Sequence, residues 1–231
     1  MGFSRRDILH LSILASIGLP LSRVFAASEK AAPPEKGKFP LTVAVLKEAF
    51  VVETMASRHY VGFAHKALEE RYPNIAYMFL AFSESEKIHA DNYRNILLPL
   101  GESPKEPVSR ITVSDTRDNL RTAAKNELDK IKHTYPEYLK RLQAEANEPS
   151  VVHCMYSWKS HQQHEEEIKK IIRYSGLFFD RVAKRIEGGS PDYFVCNHCG
   201  STISEPPQIA CIICHYPMKY YRRIERPSLS K

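Results

Sequence analysis

The chain has 231 residues, 43% of them hydrophobic, which excludes a disordered protein and suits one sizeable core with room for a small second domain. Its formal net charge is +6, and lysine and arginine are interleaved with glutamate along the chain. Mixed charges of this kind are typical of solvated helix faces, so they do not indicate a nucleic-acid partner.

Residues 1–26 form a segment of different character from the rest. Arg5 and Arg6 precede a short apolar run, and Ala26 closes a stretch suited to cleavage. This pattern predicts a twin-arginine export signal and a periplasmic location. The apolar run contains Pro20 and is well short of the roughly 20 residues that cross a membrane, so we expect no stable membrane span.

Twin-arginine export carries proteins that are already folded, which allows a metal or cofactor to be inserted before export. The signal therefore suggests a cofactor. Its removal takes away three arginines and one aspartate, so the net charge falls from +6 to +4. Residues 27–40 contain prolines and no periodicity, and we expect them to form a loose leader arm.

Two helices are predicted next, joined by a short link. Apolar residues in the stretch 41–71 recur at steps of three and four and so share one helix face; they are Val45, Ala49, Val52, Ala56, Phe63 and Ala67. Pro73 is tolerated only in the first turn of a helix, so the second helix is predicted over residues 74–98.

A long connection and a third helix follow. Residues 102–113 contain two prolines and no helical pattern. Ser114 or Asp115 can cap a third helix that runs to about residue 147, and Pro136 predicts a kink within it.

The fourth predicted helix begins at Pro149 and continues to about residue 187. Four helices of this length, with one long connection in the middle, predict a mainly α protein with a ferritin-like four-helix bundle over residues 41–187. Residues 188–231 open with a helix-breaking Gly-Gly pair and can form only a small core, so they predict a separate domain held together by a metal.

Carboxylates and histidines recur on the four predicted helices. The candidates are Glu53 on the first helix, Glu86 and His89 on the second, Glu127 on the third, and His161 and His164 on the fourth. Side chains three residues apart share a helix face and can converge on a metal inside a bundle. One glutamate alone is usually solvated, and one histidine alone is often a buried hydrogen-bonded residue. Their joint occurrence on four helices favours a metal site that holds iron, manganese or zinc.

The four cysteines near the end of the chain form the strongest motif. Cys196 and Cys199 make one C-x-x-C pair, and Cys211 and Cys214 make a second pair eleven residues later. Two such pairs predict a tetrahedral four-thiolate site. From the spacing alone, the occupant can be zinc or iron, and a disulfide pair is an alternative after export. Cys154 stands apart and is expected to be a buried thiol.

Several segments together resemble the rubrerythrin family, from about residue 41 to residue 221. They are A-F-V-V-E-T-M-A-S-R-H-Y, A-F-S-E-S-E-K-I-H-A, D-N-L-R-T-A-A-K-N-E and T-Y-P-E-Y in the helices, and Y-F-V-C-N-H-C-G and P-Q-I-A-C-I-I-C-H-Y-P in the tail. Rubrerythrins pair a ferritin-like di-iron bundle with a rubredoxin-like tail and reduce hydrogen peroxide.

The resemblance implies roles for individual residues. The family's iron ligands match Glu53, Glu86, His89, Glu127 and His164, and its tyrosines close to the iron match Tyr60 and Tyr135. It favours a single iron in the four-cysteine site. It also implies a homodimer, because the tail of one subunit commonly lies against the bundle of another.

Two positions depart from the family pattern, and both are ligands there. The fourth helix offers His161 where the family has a glutamate, and Lys130 replaces a further glutamate one turn after Glu127. Three carboxylates facing two ferrous ions leave a net charge of +1, or +2 if Lys130 points inward. An asymmetric metal site is therefore expected. Alternatively, Lys130 forms an ion pair with Glu127 on the outside of the bundle. Glu167, one turn after His164, is either a further metal ligand or a solvated side chain.

Two functions remain open from the sequence. The preferred one is an exported non-haem iron peroxidase, with bundle carboxylates relaying protons and the tail iron returning electrons from a donor that the sequence does not identify. The alternative is a metal-binding or electron-transfer protein without turnover, which the loss of a bridging carboxylate and the presence of Lys130 favour.

Overall fold

The structure is a computed structural model that describes residues 37–172, 179–205 and 208–228. The predicted export signal and nearly all of the predicted leader arm lie outside these ranges. Within them, every helix is too short or too polar to span a membrane.

The first two helices form an antiparallel hairpin. Helix α1 spans Pro40–Glu69 and helix α2 spans Pro73–Leu97, each with a proline in its first turn. A 3₁₀ turn, Leu98–Leu100, ends at Gly101, whose φ of +78° is left-handed. Both predicted helices are confirmed, with ends that differ by one or two residues.

The long connection over residues 102–113 passes across α1 at Gly62. A Cβ added at Gly62 would lie 2.8 Å from both Ile111 Cδ1 and Val113 Cγ2, so the close approach depends on the missing side chain. Asp115 then caps helix α3, Thr116–Asp129, by accepting a 2.8 Å hydrogen bond from the Asp118 amide. The crossover therefore brings a third helix alongside the first hairpin.

The third helix changes geometry in its middle. Helix α3 continues through one π turn, Lys130–Thr134, into helix α4, Tyr135–Gln143. Pro136, in the first turn of α4, has no N–H to donate to the preceding turn, and a wider turn accommodates this loss. The distortion predicted at Pro136 is therefore a π turn just before it. The helix ends at Gln143, short of the predicted residue 147.

The fourth helix is described in two parts. Helix α5 spans Glu148–Ile172 and helix α6 spans Phe179–Glu187. Residues 173–178 lie outside the described ranges. The rings of Tyr60 and Phe63 in α1 pack on Phe79 of α2 in a hydrophobic core that also contains Ile168 of α5 and Phe179 of α6.

The cysteine-bearing tail is a small antiparallel sheet. Its strands β1 (Phe194–Cys196), β2 (Thr202–Ile203) and β3 (Tyr221–Arg223) are arranged in the order β2-β1-β3. Tyr77 of α2 donates a 2.5 Å hydrogen bond to the Ile224 carbonyl, and both residues belong to the same buried cluster. The tail therefore lies against the bundle of its own chain, whereas the resemblance led us to expect a tail on another subunit's bundle.

The close contact between tail and bundle predicts the effect of one substitution. Gly200 has a φ of +78°, and an added Cβ would lie 2.7 Å from His89 Cδ2 and 3.0 Å from Ser85 Oγ. We expect Gly200→Ala to lower the free energy of unfolding in urea by about 1–3 kcal/mol, from backbone strain and the clash. Gly188→Ala is the matched control, since its Cβ would meet atoms no closer than 3.4 Å. Equal unfolding free energies for the two variants would contradict the contact.

Candidate metal centres

Six predicted ligands meet in the middle of the bundle, and all six are fully buried. They are Glu53 from α1, Glu86 and His89 from α2, Glu127 from α3, and His161 and His164 from α5. Both three-residue spacings, in α2 and in α5, turn their pair of side chains inward on one helix face. The structure brings these six candidate ligands together in one place.

Within the described residues, these six side chains form two overlapping groups whose ligand atoms lie within 4.8 Å of one another. The Glu53 group consists of Glu53, Glu86, His89 and His161. The Glu127 group consists of Glu86, Glu127, His161 and His164. Because Glu86 and His161 belong to both groups, the two potential metal positions share half of their ligands.

Lys130 points into this centre. Its Nζ donates hydrogen bonds to Glu53 Oε2 at 2.8 Å and to Glu86 Oε1 at 3.2 Å, and only 7% of the residue is exposed. The alternative of an external pair between Lys130 and Glu127 is therefore wrong, since both residues are buried. Lys130 lies three residues after Glu127 and therefore on the same helix face, which directs its ammonium group into the bundle.

His161 lies between two carboxylates. Its Nδ1 is 2.8 Å from Glu127 Oε2, and its Nε2 is 3.2 Å from Glu53 Oε1. A glutamate at this position could bridge two metals through two oxygens, but a neutral imidazole has one lone pair and binds one metal.

The buried charges shift one another's ionisation. Burial alone would lower the pKa of Lys130, but the surrounding carboxylates outweigh burial and raise this pKa above its usual value. Burial also opposes a charge on His161, yet the same carboxylates raise its pKa to about 10. In turn, although burial acts in the opposite direction, these two cations lower the pKa of Glu86 and of Glu127. Without metal, the centre is a network of paired ions.

The tail orients two of the histidines. The Cys199 carbonyl lies 3.2 Å from His89 Nε2, and an oxygen can only accept, so this nitrogen carries the proton. Thr202 Oγ1 donates to the Gly200 carbonyl at 3.1 Å and lies 3.2 Å from His164 Nε2, which must therefore donate to it. When the rings are neutral, both Nδ1 atoms carry a lone pair directed at the carboxylates.

One buried nitrogen in the centre lacks a hydrogen bond. Among the described residues, His164 Nδ1 has no hydrogen-bond partner, and it lies 3.5 Å from Glu86 Oε1 and 3.9 Å from Glu127 Oε1. Buried polar nitrogens are rarely left in this state. A cation bound by histidine nitrogens and carboxylate oxygens would satisfy it, so the residues present fit a metal.

Two tyrosines hold the outer carboxylates, as the resemblance implies. Tyr60 donates to Glu127 and Tyr135 donates to Glu53, and burial raises the pKa of both hydroxyls well above the usual value. The sequence analysis missed Tyr93, whose hydroxyl lies 3.1 Å from that of Tyr135. Its position seven residues after Glu86, on the same face of α2, was the available signal.

The four tail cysteines form a second centre. Cys196 Sγ and Cys214 Sγ are 3.8 Å apart, Cys199 Sγ and Cys211 Sγ are 3.5 Å apart, and none of the four is in a disulfide. Thiolates bound at about 2.3 Å to a tetrahedral ion would lie roughly 3.8 Å from one another. These sulfurs therefore fit a four-thiolate metal rather than the disulfide alternative.

Two further residues considered from the sequence lie elsewhere. Glu167 forms an ion pair with Lys170 in α5 and takes no part in either ligand group. Cys154 is a buried thiol, as expected, and burial raises its pKa.

Comparison with known proteins agrees with this geometry. Residues 44–172 match the model of the rubrerythrin family. Rubrerythrin-2 of Clostridium acetobutylicum is 30% identical over 180 residues, which cover 75% of this chain and 91% of that protein. The chain belongs to the rubrerythrin family.

A second relative and a solved structure also match, at lower identity. Nigerythrin of Nitratidesulfovibrio vulgaris is 26% identical over 178 residues, which cover 76% of this chain and 83% of that protein. A structure described as the fully reduced, all-ferrous state of nigerythrin has a TM-score of 0.67 at 21% identity, covering 93% of this chain and all of that one. The structural likeness supports the ferritin-like fold.

Rubrerythrins bind iron at a dinuclear bundle site and at a four-cysteine site. This rubrerythrin has candidate ligands at both places, and its bundle centre also contains the buried Lys130 ammonium. The four-cysteine centre fits the family pattern in full. The bundle centre fits a metal, and it combines three carboxylates and three histidines with the Lys130 ammonium.

The buried ammonium predicts a pH-dependent stability difference in metal-free protein. Lys130→Met should lower the free energy of unfolding at pH 7 by about 3–5 kcal/mol, because it leaves buried carboxylates without their cation. The lowered pKa values of Glu86 and Glu127 mean that their stabilisation exists above the unfolded-state pKa of about 4.3 and is lost as pH falls.

The difference between wild type and Lys130→Met should therefore shrink below about pH 4. Urea unfolding in the presence of a chelator, repeated at several pH values, measures this difference in unfolding free energy. Lys132→Met is the control, because Lys132 lies in the same π turn and is exposed. A difference at pH 7 no larger than that of the control would contradict the buried ion network.

Proposed function

We propose that this rubrerythrin is an exported non-haem iron peroxidase that reduces hydrogen peroxide at the bundle centre with electrons from the four-cysteine iron. Members of the family are iron proteins that reduce peroxide. The observation that carries the proposal is the contact between the two centres: the Cys199 carbonyl lies 3.2 Å from His89 Nε2. A cysteine of one centre is thus joined to a candidate ligand of the other by one hydrogen bond.

Further contacts hold this junction in place. The Gly200 carbonyl accepts hydrogen bonds from Ser85 at 2.6 Å and from Ser160 at 3.0 Å. The Gln163 side-chain oxygen accepts from the Ser201 hydroxyl at 3.0 Å and from the Thr202 amide at 3.1 Å. Fixed polar contacts of this kind support electron delivery within a single chain, because the distance between the centres cannot fluctuate widely.

The chain's own groups supply protons and access. Reduction of one peroxide to two water molecules consumes two electrons and two protons. Iron bound in the two centres supplies the electrons. Tyr60, Glu127 and Lys130 line a cavity of about 320 Å³ at the bundle surface, which gives peroxide a route to these groups. Tyr60 donates to Glu127, and the raised pKa of its hydroxyl keeps it protonated at neutral pH, ready to relay a proton through the carboxylate.

An electron-transfer protein without turnover is the second candidate. The buried Lys130 favours it, because a fixed positive charge beside Glu53 and Glu86 weakens metal binding there.

A homodimer and an external electron donor are expected from the family. Manganese or zinc in the bundle and zinc in the four-cysteine centre are the alternative occupants, and neither centre suggests a nucleic-acid partner.

The two candidates differ in their response to peroxide. Protein loaded with iron, reduced without oxygen and mixed with one equivalent of hydrogen peroxide should regain the visible absorption of the oxidised four-thiolate iron within one turnover. Gly200→Ala, which displaces the junction at His89, should slow this return about 10-fold or more. Gly188→Ala should react as wild type.

Direct oxidation by ferricyanide serves as a reference, because it should proceed at the same rate in both variants and the wild type. Four-thiolate iron that stays reduced after peroxide addition would reject the peroxidase and favour the electron carrier. A Gly200→Ala protein that reoxidises at the wild-type rate would reject the proposed junction.

Export has an independent test. Residues 1–26 fused to a reporter that folds in the cytoplasm should carry it to the periplasm in a bacterium with twin-arginine machinery. The change of Arg5 and Arg6 to lysine in the same fusion should keep the reporter in the cytoplasm, because the arginine pair is the recognised feature. Cell fractionation measures both, and a reporter that reaches the periplasm equally well in the two fusions would contradict the proposed route.

A further inference from the structure

The two ligand groups of the bundle cannot both be completed. They share His161, whose Nδ1 faces Glu127 at 2.8 Å and whose Nε2 faces Glu53 at 3.2 Å. A neutral ring has one lone pair and one N–H, so only one of these directions can lead to a metal. Whichever group binds through His161 leaves the other group one ligand short.

Lys130 determines which group is left without a metal. Its Nζ hydrogen-bonds to Glu53 Oε2 and Glu86 Oε1, which are two of the ligand residues of the Glu53 group. The ammonium already stands where a cation of that group would be held. A divalent ion placed beside it would be repelled at short range in a buried environment.

The Glu127 group is the one prepared for a metal. His164 Nδ1 is buried there with no hydrogen-bond partner, and its Nε2 is committed to Thr202. If His161 binds through Nδ1, its Nε2–H donates to the Glu53 carboxylate at 3.2 Å. Both histidines then have a donor contact behind the ligand nitrogen, as metal-binding histidines usually do.

The sum of the buried charges also favours a single metal in the bundle. Glu53, Glu86 and Glu127 bring three negative charges, and one divalent metal with the Lys130 ammonium brings three positive charges. A second divalent metal would leave an excess of two positive charges in a buried site. Neutrality is reached with one metal and lost with two.

We propose that the bundle of this rubrerythrin binds a single divalent metal through Glu86, Glu127, His161 and His164, and that the Lys130 ammonium takes the place of the second metal. The inference rests on the bundle being a metal site, as the proposed function requires, but not on peroxide being the substrate. One ferrous ion in the bundle and one in the four-cysteine centre hold two reducing equivalents, the number that one peroxide consumes.

Metal content tests this directly. The full chain, freed of metal, should be loaded anaerobically with excess isotopically enriched ferrous iron, desalted, and analysed for iron per chain and by Mössbauer spectroscopy. We expect two iron atoms per chain, one in a four-thiolate site and one with nitrogen and oxygen ligands, and no exchange-coupled pair after oxidation by ferricyanide. Three iron atoms with a coupled pair, or four-thiolate iron alone, would overturn the proposal.

Variants identify the cause. Lys130→Glu combined with His161→Glu should raise the content to three iron atoms with a coupled pair. Lys132→Glu, which repeats only the lysine-to-glutamate change at an exposed position of the same turn, should stay at two. A double variant that folds and still holds two iron atoms would show that these residues do not exclude the second metal. If it fails to fold, the wild-type count decides.

The readout separates this inference from the proposed peroxidase. Two iron atoms without peroxide turnover would reject the peroxidase and leave the single bundle metal standing. Peroxide turnover by protein with three iron atoms per chain would support the peroxidase and reject the single bundle metal.

Discussion

Three carboxylates that are buried together in the centre of a helical bundle must be matched by positive charge, and the rest of this structure follows from how that charge is supplied. Glu53, Glu86 and Glu127 are all fully buried within one cluster. In the proposed metal-bound centre the chain itself supplies one positive charge, the Lys130 ammonium, and His161 is a neutral ligand. A metal has to complete the balance, so the number of metals is set by the charge that the protein already carries.

The second feature that shapes the centre is the tail. The Cys199–Thr202 segment forms part of the wall of the bundle centre. Its carbonyl and hydroxyl groups fix the proton positions on His89 and His164, so the tail acts on the candidate ligands in addition to its proposed role in electron supply. Loss of tail metal should therefore disturb the bundle centre, because the same loop serves both.

Much of this arrangement could be predicted from sequence. The apolar periodicity and the prolines located the helices, since these signals are local, and the two C-x-x-C pairs identified the four-thiolate centre. Glu86 with His89 and His161 with His164 are recognisable from their three-residue spacings, and Glu53 and Glu127 from the joint occurrence of such residues on four helices. Asp115 was recognisable as a cap from its residue type and position.

The sequence did not predict the inward orientation of the Lys130 side chain or the place where the tail packs. Lys130 and Glu127 are three residues apart and share a helix face, but the spacing does not show whether that face points into the bundle or towards solvent. An external pair with Glu127 was equally compatible with the spacing. The docking of the tail on its own bundle depends on long-range contacts such as Tyr77 to Ile224, and no local pattern reports these.

The most direct test is an anomalous-diffraction map of crystals of the iron-loaded protein. The account predicts two iron peaks per chain, one among the four cysteines and one among Glu86, Glu127, His161 and His164, with Lys130 Nζ still bonded to Glu53. Two peaks inside the bundle, with Lys130 turned away from Glu53, would contradict it.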